Sequence, residues 1–350
     1  MFIICYYDSI DHELHIRNAA DAADAADAGD AAGTTNDGSA TVDLRHLQAI
    51  LGIADSGSFS AAAAALGTVQ SNVSAHVARL ERELEVTLVD RSTGRLTEEG
   101  RVVVVRARRM MAELDALIAD VVAMRQEVRG NVRLGVIGTT GQWLVPHLFA
   151  ALRARHPQIR LTVTDGTNTT LEAQLVSGQL DVAVVTLPVH SDELSTSALF
   201  QEDLVLVLRA DHPLHDAPTP VPLGDLAGLD LLLPAPGTPL RDELDAAARA
   251  AGVTLHPSME LDGLRMIASL TFDGHGPSIL PATGVPPHVS DQFGLLRIQG
   301  LPPRRVGVAL RGPGAPAAPT RVVIDLLHQT VHDREVAPPG LHPAPLSARR

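Results

Sequence analysis

The sequence has no lysine, a single cysteine and no long apolar run, and these absences exclude several kinds of function. Cys5 is the only cysteine, so neither an internal disulfide nor a metal site built from thiolates is expected. No apolar run approaches the roughly 20 residues that a membrane-spanning helix needs. Residues 2–7 are too short for the core of a secretory signal and lead directly into acids. All 28 basic residues are arginine, a bias that we attribute to genome composition.

Negative charge is concentrated at the N-terminus. The formal net charge is −13 at pH 7, which argues against DNA binding, yet residues 1–42 alone hold eight acids against Arg17. Residues 18–33 repeat Ala-Ala-Asp without large apolar residues, so a disordered acidic extension is predicted over 1–42. Translation starting at Val42 is a further hypothesis, which mass spectrometry of the native N-terminus would test. Residues 43–96 hold five arginines and six acids, so affinity for phosphates must come from arginine placement and from dimer formation.

Residues 57–66 and 70–81 have the pattern of two helices joined by a tight turn. The first consists of small residues that another helix can cross at close range. The second has an apolar face (Val73, Val77, Leu80 and, beyond it, Leu84) and a hydrogen-bonding face (Gln70, Ser71, Asn72, Ser74, His76, Arg79). This is the helix-turn-helix arrangement that reads base edges in the major groove. The alternative is an ordinary helical hairpin with a solvated polar face.

The residues around this pair extend the pattern at fixed offsets. They are Leu44-Arg45-His46-Leu47, Gly57-Ser58-Phe59-Ser60, Ala61-Ala62, Leu66, Gln70, Val73-Ser74, Leu80-Glu81, Leu84, Leu88, Arg91 and Leu96-Thr97-Glu98-Glu99-Gly100. Together they resemble the winged helix-turn-helix domain of LysR-type transcriptional regulators, predicted over 43–100. The resemblance implies two sets of DNA contacts: base edges for Gln70, Ser71, Asn72, Ser74 and His76, and phosphates for Ser58, Arg79 and Arg91.

The chain departs from the family pattern at a few positions. Val69 stands where the family usually has serine or threonine, so we expect Thr68 to supply the cap of the recognition helix one residue early. Glu85 and Val89 replace a common glycine and phenylalanine. Ala75 stands where many relatives carry arginine, so one base contact is expected to be missing or moved.

Residues 97–130 are predicted to form a long linker helix. Its apolar residues alternate steps of four and three in a heptad seam, consisting of Val103, Ala107, Met110, Leu114, Leu117, Val121, Met124 and Val128. A helix packed in the core of its own chain is the alternative. The resemblance implies a helix that dimerises the DNA-binding domains, so a dimer or tetramer should read a partly symmetric promoter site in double-stranded DNA.

From residue 131 strands and helices alternate, and the strands are almost continuously apolar. This predicts parallel α/β sheets covered on both faces. We expect subdomain I over 131–210, subdomain II over 211–298, a return to subdomain I over 299–333 and a flexible tail over 334–350. Two such subdomains resemble the periplasmic-binding-protein-like effector domain of the family.

The resemblance implies a small-molecule effector, often a carboxylate in this family, between the two subdomains. Ligands of open α/β sheets bind beyond the carboxyl ends of strands, where the predicted effector contacts are Thr139, Thr140, Thr167, Asn168 and Thr238. Each could instead be a turn or cap residue. Arg241 and Arg265 could pair with an acid of the effector or form surface ion pairs.

No cofactor, metal site or catalytic activity is predicted. The 15 histidines are scattered, and none has a metal-ligand spacing with another histidine or acid on one helix face. A solute-binding protein would explain residues 131–330 but not the N-terminal part. The sequence therefore predicts a cytoplasmic transcriptional regulator that binds DNA and does not act on a membrane.

Overall fold

The computed structural model describes residues 42–124, 128–286, 292–312 and 314–345. The chain divides into two compact units with the boundary between Ala112 and Glu113. The predicted acidic extension lies outside the described residues apart from Val42. No helix of the described ranges is long and apolar enough to cross a membrane.

The first unit contains three short helices and the start of a long one. They are α1 Leu44–Ser56, α2 Phe59–Ala65, α3 Gln70–Leu84 and α4 Glu98–Ala123. The Asp43 carboxylate accepts from the Arg45 N–H at the start of α1, and the Ser58 hydroxyl accepts from the Ala61 N–H at the start of α2. Between them Gly57 has φ +75°, a conformation that suits glycine.

A wing follows α3. Val89 and Leu96 form an antiparallel bridge, and both ends of this loop pack on the helical core around Ile50, Val77 and Leu80. At the start of α4 the Thr97 hydroxyl accepts from the Gly100 N–H at 2.9 Å. A Cβ at Gly100 would lie 2.1 Å from the Leu88 carbonyl oxygen, so only glycine lets α4 pass this close to the wing.

Helix α4 is shorter than predicted and its seam has two parts. The helix ends at Ala123, and Gly130 already begins a strand, which corrects the predicted bounds of 97–130. Ala107 is buried in the core of the first unit, where Val103 also packs, so this part behaves as the single-chain alternative expects. The exposed part of the seam consists of Met110, Leu117, Val121 and Met124.

The second unit is an α/β structure. Its elements in chain order are β1 Gly130–Ile137, α5 Gly138–Arg155, β2 Ile159–Gly166, α6 Asn168–Val176, β3 Val182–Thr186, β4 Leu194–Glu202, β5 Leu204–Arg209, β6 Val221–Pro222, β7 Asp230–Pro234, α7 Pro239–Ala250, β8 His256–Leu261, α8 Leu264–Phe272, β9 Ser278–Pro281, β10 Phe293–Gln299, β11 Arg304–Arg311, α9 Ala318–His332 and β12 Leu341–Pro343. Short 3₁₀ turns at Leu223–Leu226 and Ala282–Gly284 follow β6 and β9.

The strands form two six-stranded sheets, each the centre of one subdomain. The first has the order β12-β4-β11-β3-β1-β2 and the second β6-β10-β5-β9-β7-β8. Pairs β1–β2, β1–β3 and β7–β8 are parallel, whereas β11 is antiparallel to both β3 and β4, and β5 to both β9 and β10. The sheets are thus mixed, which corrects the expectation of parallel sheets. Antiparallel pairs form because the chain crosses twice between the subdomains.

Two boundaries differ from prediction. Strand β5 belongs to the second sheet, so the chain leaves the first subdomain at Asp203 rather than after residue 210. Strand β12 pairs with β4 through Leu341 and Glu202, so the tail predicted to be flexible over 334–350 contributes a strand at the edge of the first sheet. The predicted return over 299–333 coincides with β11 and α9. Separate apolar cores fill the two subdomains.

Candidate DNA-reading face and effector cleft

Helix α3 has one buried face and one polar face. Val73, Val77 and Leu80 are almost fully buried against the other helices. On the opposite side Gln70, Ser71, Asn72 and Arg79 are exposed, and Ser74 and His76 are half-buried. The structure therefore places all the residues predicted to face bases on the outer side of one helix.

No side chain caps α3, but two side-chain hydrogen bonds hold its first turn in place. The Gln70 Oε1 accepts from the Ser60 hydroxyl at 2.9 Å, which ties α3 to α2. The Asn72 Nδ2 donates to the Thr68 hydroxyl at 3.0 Å. Val69 provides no side-chain cap, and the expectation that Thr68 caps the helix is wrong because its hydroxyl serves the Asn72 amide. Both amides are thus oriented by neighbouring hydroxyls.

Arg91 joins the wing to the recognition helix. It donates to the Ser74 hydroxyl at 3.1 Å and to the Glu81 carboxylate at 3.0 Å, and its guanidinium lies 5.4 Å from the centre of the Phe59 ring. Glu81 also accepts from the Leu88 and Val89 N–H groups. The predicted phosphate contact Arg91 is thus a structural link as well. Glu81, which stands out in the sequence only as part of the family pattern, is the acid that holds the wing.

The other two predicted phosphate contacts differ in their surroundings. Ser58 is exposed, and its hydroxyl already caps α2, so it retains a proton to donate. Arg79 is exposed and lies 3.8 Å from the Glu83 carboxylate, a loose pair one turn along α3. Arg79 is therefore the predicted phosphate contact with the weaker internal attachment.

His76 contacts His46, a residue of the family pattern for which the sequence predicts no role of its own. The rings of His46 in α1 and His76 in α3 lie 5.6 Å apart. His46 is buried, and its Nδ1 accepts from the Asp43 N–H at 3.2 Å. Burial lowers the pKa of His46, the Asp43 carboxylate opposes this, and the nearby His76 and Arg79 lower it further. His46 is therefore neutral where α1 packs against His76 of α3.

In the second unit, the hydroxyls of Thr139 and Thr140 face inward. These residues lie in the first turn of α5 and are 2% and 0% exposed. Both hydroxyls accept from Nη2 of Arg304, at 3.2 and 3.3 Å. The expectation that their hydroxyls line an open cleft is therefore corrected, because a buried guanidinium uses them.

Arg304 belongs to a buried polar network between the subdomains. Its Nε donates to Glu202 Oε1 at 2.8 Å, and the other carboxylate oxygen accepts from the Thr283 N–H of the second subdomain at 2.9 Å. Glu202 is fully buried. No local pattern predicts this pair, because its members are 102 residues apart in the chain.

The remaining predicted effector contacts have structural roles. Thr167 caps α6, and the Asn168 amide makes two bonds to the Thr186 backbone, at 2.7 and 3.0 Å. The Thr238 hydroxyl donates to the Ala235 carbonyl instead of capping α7. These bonds correspond to the turn-and-cap alternative, and effector contacts by the same residues stay a prediction.

The two candidate arginines have different surroundings. Arg241 is buried and bonded to Asp245, Glu260 and the Pro234 carbonyl, so it stabilises its own subdomain. Arg265 instead forms an ion pair with Asp165 of the first subdomain. It also lines a cavity of about 240 Å³ together with Gln142, Ser269 and Asp273. Of these two arginines, Arg265 is therefore the exposed one, and its partner belongs to the other subdomain.

Comparisons with known proteins cover both units. The model of the bacterial regulatory helix-turn-helix protein, lysR family, matches residues 44–101, and that of the LysR substrate binding domain matches residues 125–331. A probable hydrogen peroxide-inducible genes activator of Mycobacterium leprae (strain TN) is 32% identical over 301 residues, covering 85% of this chain and 96% of the relative. The DNA-binding transcriptional dual regulator OxyR of Escherichia coli (strain K12) is 29% identical over 280 residues, covering 79% and 91%.

Among solved structures, full-length OxyR from Pseudomonas aeruginosa, in a form with one cysteine replaced by aspartate, is similar to this chain. The TM-score is 0.65 at 25% sequence identity, and the match covers 83% of this chain and 94% of that chain. The helix-turn-helix unit, the paired α/β subdomains and the two family matches agree in their order along the chain. This chain belongs to the LysR family of DNA-binding transcriptional regulators, with an effector-binding domain after its helix-turn-helix.

Proposed function

We propose that this regulator reads a partly symmetric promoter site in double-stranded DNA through the outer face of α3. The observation that carries the proposal is the first turn of α3, where neighbouring hydroxyls orient the Gln70 and Asn72 amides on an exposed surface. Oriented amides suit bidentate contacts to base edges. Ser71, Ser74 and His76 extend the same face, and Ser58, Arg79 and Arg91 would position the phosphates.

Residues 43–96 have no excess of positive charge, with five arginines against six acids, and dimer formation compensates for this. The exposed seam of Met110, Leu117, Val121 and Met124 repeats at heptad spacing, and a second copy of α4 would cover it. Two recognition helices then share one duplex, which multiplies modest affinities. We propose a homodimer or homotetramer that works in the cytoplasm, where its DNA is.

The cleft of the second unit would hold a small-molecule effector. Amides at the start of α5 and the side chain of Arg265 offer donors there, so an anion such as a carboxylate suits the site. The effector would favour one of two subdomain arrangements and so alter DNA binding. No catalytic step is proposed, and the solute-binding alternative does not account for the helix-turn-helix match over residues 44–101.

The M. leprae relative is named for a response to hydrogen peroxide, but thiol oxidation requires a cysteine. Residues 44–331 contain none, and Cys5 lies before both matched regions. We therefore propose control by a bound effector rather than by oxidation of a thiol in the effector domain. Peroxide treatment should leave the affinity for promoter DNA unchanged in the wild type and in Cys5→Ser alike. A peroxide-dependent change that survives Cys5→Ser would support a peroxide response through another group.

Selection of duplexes from a random pool by the purified full chain tests the proposed function. Gln70→Ala and Asn72→Ala should each reduce the preference for the selected site over a scrambled site by about 1–3 kcal/mol. Gln158→Ala removes an exposed amide from the second unit and should change nothing. Equal weakening on both duplexes would contradict base reading by these amides, and failure to enrich any sequence would contradict the function.

A further inference from the structure

An exposed ion pair bridges the two subdomains. Arg265, in the first turn of α8, belongs to the second subdomain, and Asp165, near the end of β2, belongs to the first. Arg265 Nη2 pairs with Asp165 Oδ2, and the side chains are 60% and 39% exposed. Solutes can therefore reach both groups, and water weakens their attraction.

The same arginine crosses the start of α5. A Cβ at Gly138 would lie 3.3 Å from Arg265 Cγ, so the arginine stem lies on the backbone where α5 begins. No side chain caps this helix, and the start of a helix carries partial positive charge. Asp165 is opposite Val136 in the pairing of β1 with β2, two residues before that start. The Asp165 carboxylate therefore lies near two positive groups, the Arg265 guanidinium and the start of α5.

The space behind the pair is small. The cavity lined by Arg265, Gln142, Ser269 and Asp273 measures about 240 Å³, below the roughly 300–1,000 Å³ of typical small-molecule sites. Arg265 both lines this cavity and pairs with Asp165. The same side chain is therefore part of the cavity wall and of the link between the subdomains.

We propose that Asp165 is an internal anion that occupies Arg265, and that a small carboxylate effector takes the place of Asp165 when it binds. This rests on the proposed function in treating the cleft as the effector site. While Asp165 holds Arg265, the subdomains are tied in one arrangement. An effector carboxylate on Arg265 releases Asp165, removes the tie and lets a different angle between the subdomains become populated.

Distance measurements between the subdomains test the tie. With Cys5 as the only natural cysteine, Cys5→Ser gives a background for spin labels at Ala150→Cys in α5 and Ala246→Cys in α7, both exposed positions. Labelled chains are diluted in an excess of unlabelled chains, so that only distances within one chain are recorded. Asp165→Ala and Arg265→Gln should each broaden the distance distribution, and the exchanged pair Asp165→Arg/Arg265→Asp should restore it.

The matched control is Asp211→Ala. It removes the carboxylate of an exposed ion pair with Arg209 that lies within the second subdomain, so the distribution should stay that of the wild type. A distribution that is unchanged in Asp165→Ala, or changed equally in Asp211→Ala, would overturn the proposed tie. These measurements need no DNA, so they are independent of the duplex selection that tests the proposed function.

Acetate tests the assignment of Arg265 as a carboxylate anchor. In Asp165→Ala, acetate can occupy the space of the missing carboxylate, so it should return the distance distribution towards that of the wild type, whereas chloride at equal ionic strength should not. Arg265→Gln should respond to neither salt. A response of Asp165→Ala that is the same in acetate and chloride would overturn the carboxylate assignment.

Discussion

Glu202 and Arg304 are paired opposite each other on β4 and β11, at the two places where the chain crosses between the subdomains. Both side chains are buried, and Arg304 Nε lies 2.8 Å from Glu202 Oε1. The Glu202 carboxylate also accepts a hydrogen bond from the Thr283 N–H of the second subdomain. The Arg304 guanidinium also donates to the Thr139 hydroxyl in the first turn of α5. A single ion pair thus links both crossings to the helix at which the proposed effector site begins.

The first prediction concerns the loss of this buried charge pair. Glu202→Gln leaves the Arg304 charge buried without its counter-ion, so the free energy of unfolding of the full chain should fall by ~3–5 kcal/mol. Replacing both residues, Glu202→Met and Arg304→Met, removes the uncompensated charge and should cost much less. Urea denaturation followed by the fluorescence of Trp143, which packs in the first subdomain, measures both. Equal losses in the single and double variants would contradict the prediction.

The second prediction is a pH dependence of the first unit. Burial lowers the pKa of His46 in the folded chain, so between that value and roughly 6.5 the unfolded chain binds more protons than the folded one. The contribution of neutral His46 to the free energy of unfolding is therefore fully present above about pH 6.5 and is lost as the pH falls towards the lowered pKa. Protonation at Nδ1 would also remove the acceptor of the Asp43 N–H bond. Amide exchange in α1, corrected for intrinsic rates, should accelerate over this range.

His46→Gln is the matched variant for the pH experiment. Glutamine is also a suitable residue at this position of a capping box and does not titrate. The exchange rates of α1 in this variant should therefore depend less on pH than those of the wild type. Curves that stay parallel for the two proteins would show that other groups cause the dependence.

The helix-turn-helix was largely predictable because its signals are local. The apolar spacing of α3 and the cap residues Asp43 and Ser58 each act within a few residues of their position. The face of α3 follows directly from its period. The sequence could not show which contacts hold that face in place, because they join residues that are far apart in the chain. Arg91 donates to Ser74, 17 residues earlier, and His46 of α1 contacts His76 of α3.

The cleft was less predictable because its residues come from distant parts of the chain. Thr139 and Thr140 are at the predicted end of a strand, but Arg304 turns their hydroxyls into internal groups. Strand β4 has a weak signal in the sequence because Ser195, Thr196 and Ser197 interrupt its apolar pattern. Its place in the sheet depends on pairing with β11, about a hundred residues later. Non-local pairing of this kind leaves no periodic signal.

The third prediction concerns the exposed seam of α4. Leu117→Glu places an unpaired carboxylate where a second copy of α4 should pack. Desolvation of such a charge costs several kcal/mol, so the dissociation constant of the dimer should rise on the order of 100-fold or more. Sedimentation over a range of concentrations measures it. Arg106→Gln, on the exposed polar side of the same helix, should leave the assembly unchanged, and an unchanged dimer in Leu117→Glu would contradict the role of the seam.

The fourth prediction concerns the contact between α4 and α9 within the second unit. Asp120 Oδ1 accepts from the Ala318 N–H at 2.8 Å and pairs with Arg321 at 3.2 Å. The residue that precedes α9, Ala317, has no side-chain cap to offer, so a carboxylate from another helix serves the start of α9. Asp120→Ala should destabilise that start by about 0.5–2 kcal/mol, visible as faster amide exchange in the first turn of α9.

Adding Ala317→Ser to Asp120→Ala distinguishes two roles of Asp120, the cap of α9 and the link between α4 and α9. The backbone of Ala317 is extended, with φ −53° and ψ 153°, so a serine there can accept from the Thr320 N–H and restore a cap within α9 itself. In Asp120→Ala/Ala317→Ser, exchange in α9 should therefore return towards the wild-type rate, while exchange at the end of α4 should remain fast because its contact with α9 is still missing. If serine restored both helices, the contact made by Asp120 would be a cap for α9 and nothing more.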